Sequence, residues 1–402
     1  MHTPVPHSRC RTWIAAVVLL AAGTVQAAPA TDPPRGWAPL VADFERLLER
    51  DGVVGGSIGL VEDGRLVDRR DYGFADRTAG RRVDGDTVFH WASITKTINA
   101  ITVMQLVEQG RLTLGDPIVR HIPELRRMHN PYGAMDAITV GMLLSHTAGF
   151  QGPTWPWRSG AEWEPFEPTD WEQIVAMLPY QRIESRPGSQ YGYSNPSWIH
   201  LARMVERMSG EGWQYRVQKQ VFAPLGMDRS YFGLTPPHLK AHRSRRYLVQ
   251  RDATGAAALR ELDGEFDPGI TIPNGGWNAP LADAATYVGF LTGAPRGDAG
   301  LRRRHDSVLS RETLARMWEP RIAVSDAPDA ERVGLGFFVS GEGAGRVVGH
   351  TGGQGGFLSF LYFNPETGRG VVAAFNTARP EAQDGRPGFF QALRHSAIEV
   401  LR

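Results

Sequence analysis

The segment from residue 88 to residue 110, VFHWASITKTINAITVMQLVEQG, constrains this chain more than any other. Between Asp86 and Glu108 its single full charge is Lys96, which stands among isoleucine, valine, leucine and methionine. An apolar pattern of this length predicts a buried helix. A buried ammonium is costly unless it is paired or gives up its proton. The position of Lys96 therefore requires a reason.

The rarity of lysine in this chain suggests one. Of the 44 basic residues only Lys96, Lys219 and Lys240 are lysines, which leaves 41 arginines. Arginine stays protonated in proteins, whereas a buried lysine can be neutral. Ser93 stands three positions before Lys96 and shares its helix face, so a neutral Lys96 could accept the Ser93 hydroxyl proton. A lysine that snorkels to the surface, or forms a salt bridge across a cleft, explains the pattern equally well at this point.

The N-terminus has the pattern of a secretory signal peptide over residues 1–27. Arg9 and Arg11 precede an apolar core, and a small-x-small site predicts cleavage after Ala27. An uncleaved anchor is the alternative, but the apolar core is shorter than the ~20 residues that a span needs. Cys10 is the only cysteine and lies before the apolar core. The mature protein is therefore expected to be secreted or periplasmic, with no stable membrane span, and to lack disulfides, thiol catalysis and cysteine metal sites.

Charge excludes other classes of function. The 44 basic and 43 acidic residues give a net charge of +1, so no global field indicates nucleic acid or an anionic membrane as a partner. The basic run at 238–252, HLKAHRSRRYLVQRD, invites an anionic partner such as cell-wall polymer or nucleic acid. Because it has only one aromatic residue, a solvated surface is the favoured interpretation. No H-E-x-x-H or comparable ligand spacing occurs, which argues against a metal hydrolase.

The order of elements predicts an α+β fold. A helical pattern is followed by a hairpin at Asp63-Gly64, then by mostly helical patterns up to about residue 325, and finally by strands and a closing helix. This arrangement indicates an antiparallel sheet flanked by helices, with an inserted all-α lobe. The predicted sheet lobe is 35–92 with 327–402, and the helical lobe is 93–326. The Trp-rich loop 151–171 could line a substrate mouth or pack over the helical lobe.

Two further stretches contain side chains that could act with Ser93 and Lys96. Tyr193 and Asn195, in YGYSNPSW, precede a predicted helix. A phenol near a lysine can shift towards phenolate and move protons, and an amide can orient a lysine and a carbonyl group. A simple N-cap by Ser194 or Asn195 is the alternative.

The other stretch is VVGHTGGQGG, which contains His350, Thr351 and Gly352. Glycine lets backbone or ligand approach closely, so His350 and Thr351 could hold an anionic or carbonyl group. A backbone N–H here could polarise a reacting carbonyl. A glycine-rich turn with an exposed histidine is the alternative.

Together, in this order and spacing, the motifs resemble S-x-x-K, Y-x-N and H/K-T-G of the serine β-lactamase and penicillin-recognising family, in its class C and D-Ala-D-Ala carboxypeptidase branch. The resemblance covers about residues 40–400. It implies a β-lactamase/transpeptidase-like fold, no metal and no organic cofactor. The implied roles are these: Ser93 is the nucleophile, Lys96 its proton partner and Tyr193 the proton shuttle; Asn195, His350, Thr351 and Gly352 bind substrate; the N–H groups of Ser93 and Gly353 form the oxyanion hole. Ser145-His146-Thr147 resembles a helix end that is typical of the family and is interpreted as structural.

One departure and two rival interpretations complete the prediction. Many β-lactamases of this branch have lysine where this chain has His350, and histidine makes a weaker clamp for a substrate carboxylate at neutral pH. Gly55 to Gly59 matches the G-x-S-x-G nucleophile elbow around Ser57, but that motif needs a following helix and a hairpin follows instead. A binding or sensor protein that is acylated without turnover also stays open.

The predicted function is therefore an exported serine hydrolase that cleaves an ester or amide through a Ser93 acyl-enzyme. A D-Ala-peptidase or an esterase is favoured, and a class C-like β-lactamase or a non-turnover penicillin-binding protein is the alternative. The expected partner is a small-molecule or peptide substrate, and the sequence does not indicate an oligomeric state.

Overall fold

The computed structural model describes residue 34 and residues 36–150, 168–251, 257–293, 298–379 and 387–402. The predicted signal peptide with its cleavage site, and most of the Trp-rich loop 151–171, lie outside these residues. Residues Arg35–Arg402 group into one compact unit. In the described part of the chain, every helix is too short or too polar to cross a membrane.

The long strands lie towards the two ends of the chain, and most of the helices lie between them. The strands are β1 (Gly55–Glu62), β2 (Arg65–Asp76), β3 (Arg81–Arg82), β4 (Val88–Ala92), β5 (Tyr231–Phe232), β6 (Tyr247–Arg251), β7 (Ala257–Glu261), β8 (Trp277–Pro280), β9 (Ile322–Ala323), β10 (Arg332–Val333), β11 (Phe338–Ser340), β12 (Val347–Gln354), β13 (Phe357–Asn364), β14 (Arg369–Phe375) and β15 (Thr377–Ala378). The helices are α1 (Trp37–Arg50), α2 (Thr95–Glu108), α3 (Ile118–His121), α4 (Val140–Leu144), α5 (Trp171–Met177), α6 (Pro196–Ser209), α7 (Trp213–Val217), α8 (Ala223–Leu225), α9 (Ile272–Gly275), α10 (Leu281–Thr292), α11 (Ala299–Val308), α12 (Arg311–Met317) and α13 (Phe389–Leu401).

The main sheet of the described residues has nine strands in the order β3-β2-β1-β14-β13-β12-β11-β10-β9. Its neighbours pair antiparallel, and strands from the two ends of the chain meet where Ile58 pairs with Ala373. The predicted hairpin at Asp63-Gly64 is confirmed: both residues have positive φ, 48° and 71°, as a tight turn between twisted strands requires. The α+β class with an antiparallel sheet is likewise confirmed.

Helices cover both faces of this sheet, so its central strands are buried on both sides. Side chains alternate along β13, with Phe360 and Tyr362 packing towards α1 and α13. Leu361 and Phe363 point to the opposite face, into a larger core that contains α2, α6 and α10. The sheet thus stands between two apolar layers, one of which includes the helices of the middle of the chain.

One sequence expectation was wrong in detail. Residues 88–92, expected to begin the buried helix, form strand β4, and the helix begins only at Thr95. The 93–326 region, expected to be mostly helical, also contains the short strands β5 to β9. Strand β4 pairs with β8, which lies nearly 190 residues later in the chain; His90, for example, pairs with Asn278. Such long-range pairing cannot be read from a short apolar run, which suits strand and helix alike.

Candidate active site

Ser93 stands at the junction of β4 and α2, in a backbone turn that presents its side chain. Ala92 has φ of 48°, a left-handed conformation that is unfavourable for a residue with a Cβ atom. Thr95 holds the turn, since its Oγ1 donates to the Ala92 carbonyl at 2.6 Å and accepts from the Trp277 N–H at 3.0 Å. The Ser93 N–H donates to no backbone carbonyl among the described residues. The N–H of Ser93 is therefore available to a ligand.

Lys96 is fully buried, as the apolar segment predicts. Its Nζ lies 3.0 Å from Ser93 Oγ and 2.7 Å from the carbonyl oxygen of Asn274, to which it donates. No carboxylate pairs with it within the described residues. Burial therefore lowers the pKa of Lys96 well below its usual value and favours the neutral amine. A neutral Nζ has a lone pair that can accept the Ser93 hydroxyl proton, whereas a surface or salt-bridged lysine does not fit this geometry.

Tyr193 lies against both residues. Lys96 Nζ lies 5.1 Å from the centre of its ring. Burial raises the pKa of Tyr193, and the nearby Ser93 side chain offsets this only in part. The shift towards phenolate that the sequence suggested is therefore wrong for the resting protein. A neutral amine supplies no cation to stabilise a phenolate, so the hydroxyl keeps its proton.

His146 holds Tyr193 in three ways, although the sequence indicated only a structural helix end. Its carbonyl accepts the Gly192 N–H at 2.8 Å, and its Nδ1 accepts the Ser194 N–H at 2.9 Å. Its ring also stacks on the Tyr193 ring, with centres 4.6 Å apart and planes 20° apart. The residue is 2% exposed and has φ of 56°. His146 thus fixes the peptide groups on both sides of Tyr193 as well as its ring.

Asn195 and Ser194 divide the two functions that the sequence left open. Ser194 caps α6, because its Oγ accepts the Ser197 N–H at 3.2 Å. The Asn195 side chain makes no cap hydrogen bond, and its Oδ1 is buried without a partner among the described residues. Lys96 is oriented by the Asn274 carbonyl and not by Asn195. The Asn195 amide stays available for a substrate group, which is the binding role that remains a prediction.

Strand β12 brings the third motif to Ser93. A Cβ atom on Gly352 would lie 2.3 Å from the Trp91 carbonyl oxygen and 3.2 Å from the Ala92 Cβ, so only glycine lets β12 approach the end of β4. Gly353 follows and is exposed, with only a Leu358 methyl within 4 Å of its added Cβ. The candidate oxyanion donors thus belong to adjoining segments. Thr351 directly precedes Gly352 and is half-buried.

His350 is 2% exposed, so the alternative of an exposed histidine is wrong. Its Nδ1–H donates to the Thr351 carbonyl, and its Nε2 is buried without a partner among the described residues. Its ring centre lies 6.4 Å from that of Tyr193. Burial lowers the pKa of His350 to about 3. At neutral pH it is therefore an uncharged hydrogen-bond acceptor and not a cationic clamp.

The cluster contains basic side chains without formal charge. Lys96, His146 and His350 surround Tyr193, and burial lowers the pKa of each. Among the described residues, no group of three or more His, Cys, Asp or Glu side chains is arranged to hold a metal ion. The residues that meet here can exchange a proton between a hydroxyl, an amine and a phenol. These are the groups that nucleophilic acyl transfer requires.

The same burial makes the fold sensitive to acid. Each histidine whose folded pKa lies below its unfolded value of about 6.5 binds fewer protons when folded, so stability falls as pH drops below about 6.5. Each contributes up to about 1.4 kcal/mol per pH unit, and none of this loss occurs above that pH. Burial is the main cause in all six cases: the pKa falls to about 4 for His90 and His305 and to about 3 for His200 and His350, lies well below 6.5 for His146, and is lowered for His121.

We expect chemical denaturation to show a steep loss of unfolding free energy between about pH 6.5 and pH 5. His305→Leu removes one buried imidazole and should flatten the slope, whereas the exposed His395→Gln should leave it unchanged. A free energy of unfolding that stays level across this interval would contradict the neutral state of the buried histidines.

Comparison with known proteins identifies the family to which this geometry belongs. A family model described as Beta-lactamase matches residues 40–394. The chain belongs to the beta-lactamase family. Esterase EstB of Burkholderia gladioli is 30% identical over 320 residues, which are 77% of this chain and 78% of the esterase.

Two solved structures share the fold of this chain. A class C beta-lactamase superposes with a TM-score of 0.69 at 16% identity, covering 90% of this chain and 96% of the other. A D-stereospecific amidohydrolase from Streptomyces sp. gives 0.68 at 22% identity, covering 90% and 98%. The resemblance inferred from the three motifs is confirmed, and the chain is a hydrolase of the beta-lactamase family.

Proposed function

We propose that this member of the beta-lactamase family is a serine esterase that forms an acyl-enzyme on Ser93. The burial of His350 is the observation that carries the proposal, because burial favours the neutral imidazole. A D-alanyl peptide and a β-lactam each carry a free carboxylate close to the scissile bond, and a cation at this position would attract it. An uncharged imidazole offers no such attraction. A neutral ester needs none.

Acylation starts at the Ser93 hydroxyl. Its Oγ attacks the ester carbonyl carbon while Lys96 Nζ takes the proton, and the carbonyl electrons move to oxygen. The N–H groups of Ser93 and Gly353 receive that oxyanion. When the tetrahedral intermediate collapses, the bond to the alcohol oxygen breaks. The leaving alkoxide takes the Tyr193 hydroxyl proton, and the Lys96 ammonium returns a proton to Tyr193.

Deacylation runs through the same groups. Water gives a proton to the neutral Lys96 Nζ while its oxygen attacks the acyl carbon, and the Lys96 ammonium later returns that proton to Ser93 Oγ. The same two N–H groups hold the second oxyanion. As the acyl bond to Ser93 breaks, Oγ recovers its proton and the carboxylic acid leaves. The resting hydrogen bonds are then restored without any net change in the protein.

The likeness to esterase EstB supports an ester as the substrate, because it extends over most of both chains. The experiment is a comparison of p-nitrophenyl esters of short acids, a D-Ala-D-Ala peptide and nitrocefin on the purified protein. We expect the esters to have the highest kcat/KM, by about 10- to 100-fold, since a missing charge-assisted hydrogen bond costs ~1.5–3 kcal/mol. A higher kcat/KM for the peptide or for nitrocefin would overturn the ester assignment in favour of a peptidase or a β-lactamase. Stoichiometric labelling by penicillin without turnover would indicate a sensor.

His146 should control the rate through the position of Tyr193. His146→Phe keeps a stacked ring but leaves the Ser194 N–H without its acceptor, and phenylalanine is strained at a φ of 56°. His146→Asn loses the ring, yet Oδ1 replaces Nδ1 and asparagine tolerates this φ. Small displacements of a proton-transfer group can cost ~100-fold in rate.

We therefore expect kcat to fall about 100-fold in His146→Phe with little change in KM, and to stay within about 10-fold of the original in His146→Asn. Steady-state kinetics with a p-nitrophenyl ester measures both constants, and thermal denaturation shows whether each variant is folded. Equal kcat in folded His146→Phe and the unmodified protein would show that the backbone clamp does not matter for turnover.

A further inference from the structure

A polar cavity of about 420 Å³ lies outside the reaction cluster. It is bordered by the end of β2, the segment that leads into β6, and Phe357 at the start of β13. Ser93, Lys96 and Tyr193 do not line it. Its volume is within the range of small-molecule sites, which is about 300–1,000 Å³. We call it the arginine cavity.

The arginine cavity concentrates positive charge in a chain that is close to neutral overall. Two acidic side chains, Asp76 and Glu265, line it. Five basic side chains face them: Arg81, Lys240, Arg243, Arg245 and Arg246. The local net charge of +3 exceeds the +1 of the whole chain. Charge of one sign in a recessed site raises the local concentration of the opposite ion.

The two carboxylates are already engaged. Asp76 pairs with Arg245 at 3.3 Å. Glu265 accepts the Thr235 N–H at 2.6 Å and also the Thr235 hydroxyl. Within the described residues, the other four basic side chains form no ion pair closer than 4 Å. Glu265 and Asp263 act on Arg243 and Arg246 only from a greater distance, where they raise the pKa of each guanidinium without forming an ion pair.

Neutral groups hold Arg246 in place without cancelling its charge. Its Nε donates to the Gly264 carbonyl at 3.2 Å and its Nη1 to the Gly355 carbonyl at 3.3 Å. A third bond runs from Nη2 to the Asp263 carbonyl. A guanidinium group has five N–H donors, so donors remain for a ligand. Burial lowers the pKa of Arg246, which shows that desolvation of this cation outweighs the charges around it.

Arg243 is held in a similar way. Its Nη1 donates to Asn278 Oδ1 at 2.8 Å, and its guanidinium lies 5.0 Å from the centre of the Phe357 ring. Burial lowers its pKa as well, although Tyr231 and Glu265 act in the opposite direction. Arg243 and Arg246 are thus fixed in advance, which reduces the conformational entropy that a ligand would have to pay. Both come from the basic run at 238–252 that the sequence assigned to a solvated surface.

We propose that the arginine cavity binds a small molecule through an oxyanion group, either a carboxylate or a phosphate. Planar guanidinium donors match the geometry of both groups, and Lys240 at the exposed rim adds a flexible charge. The site stands on its own observations and does not depend on the ester assignment. The alternative is that these arginines only stabilise the loops, by donating hydrogen bonds to backbone carbonyls.

The test is isothermal titration calorimetry of the full chain carrying Ser93→Ala, with inorganic phosphate and with succinate, at low ionic strength where charges are least screened. The Ser93→Ala background separates binding from turnover, so failure here leaves the proposed hydrolysis untouched. We expect saturable binding of at least one probe at one site per chain. The stronger probe identifies the oxyanion as phosphate or carboxylate.

Matched variants locate the binding. Arg246→Gln should weaken it by about 10- to 100-fold, because a hydrogen bond to a charged group contributes ~1.5–3 kcal/mol. Lys240→Gln should weaken it several-fold, and since this exposed side chain makes no described hydrogen bond, it also serves if Arg246→Gln fails to fold. Lys219→Gln removes an equal charge from a surface pair with Glu211 and should change nothing. Absence of saturable binding, or equal affinity in Lys240→Gln and Lys219→Gln, would overturn the proposal.

Discussion

Ser93→Ala is expected to lower kcat/KM for ester hydrolysis by at least about 10⁴-fold, since removal of a nucleophile that acts as one unit with its base costs up to ~10⁶. Alanine leaves the β4 to α2 turn intact, because that turn depends on Thr95 and on the Ala92 conformation. The variant should therefore melt at the same temperature as the unmodified protein. Loss of activity would then come from lost chemistry and not from lost structure.

Ser57→Ala is the matched control, because Ser57 is the serine of the rival G-x-S-x-G motif. The structure places Ser57 in the middle of strand β1, where it is fully buried and its hydroxyl donates to Asp71. No helix follows it, as a nucleophile elbow would require. We expect this variant to lose about 1 kcal/mol of stability and to keep its kcat. An active Ser93→Ala protein beside an inactive Ser57→Ala protein would refute the assignment.

Lys96→Arg should lower kcat/KM by about 10³-fold or more, because an arginine keeps its proton and cannot act as the base. Arginine is also larger than the fully buried lysine that it replaces, so a second variant is needed. Lys96→Met has a similar length and no charge, and it should be equally inactive. Steady-state kinetics on both variants tests the requirement for an amine that can lose its proton.

The stability of Lys96→Met separates chemistry from folding. The folded pKa of Lys96 lies well below its unfolded value, so the unfolded state binds more protons below about pH 10 and gains stability there. Methionine removes that difference, and the variant should be at least as stable as the unmodified protein at neutral pH. An active Lys96→Arg protein, or a strongly destabilised Lys96→Met protein, would contradict a buried neutral lysine.

The sequence predicted those parts of the fold that depend on local patterns. The hairpin at Asp63-Gly64 and the closing helix α13 follow from turn chemistry and from 3.6-residue periodicity. Strand β4 was missed, because its pairing with β8 depends on residues far away in the chain. Strand β5 was missed for the same reason, since it also pairs with β8.

The sequence predicted the parts of the site that consist of side chains with a recognisable spacing. The spacing of Ser93 and Lys96, and the scarcity of lysine, indicated a residue whose proton moves, and their 3.0 Å separation agrees with that expectation. The Asn274 carbonyl that orients Lys96 left no signal, because every residue has a carbonyl. The role of His146 was also hidden, since its contacts with Gly192 and Ser194 need the folded backbone. A histidine two positions after a helix and 47 positions before a candidate tyrosine gives no pattern to recognise.

The arginine-rich run shows how burial changes an interpretation. Composition alone favoured a solvated surface for 238–252, because charge runs usually face water. In the fold, Arg243 and Arg246 border a cavity and donate to Asn278 and to backbone carbonyls. The sequence gives the charge of each side chain, but it does not show whether a side chain of opposite charge lies beside it in the fold.

The most direct test of the account is the position of the covalent adduct after labelling with a fluorophosphonate. Trypsin should release residues 83–96, VDGDTVFHWASITK, which end at Lys96 and contain Ser93 as their single serine. Fragment-ion mass spectrometry is expected to place the adduct on Ser93, and the label should disappear in Ser93→Ala. An adduct on Ser57, within the peptide 51–65, or on any other residue would contradict the central claim that Ser93 is the nucleophile.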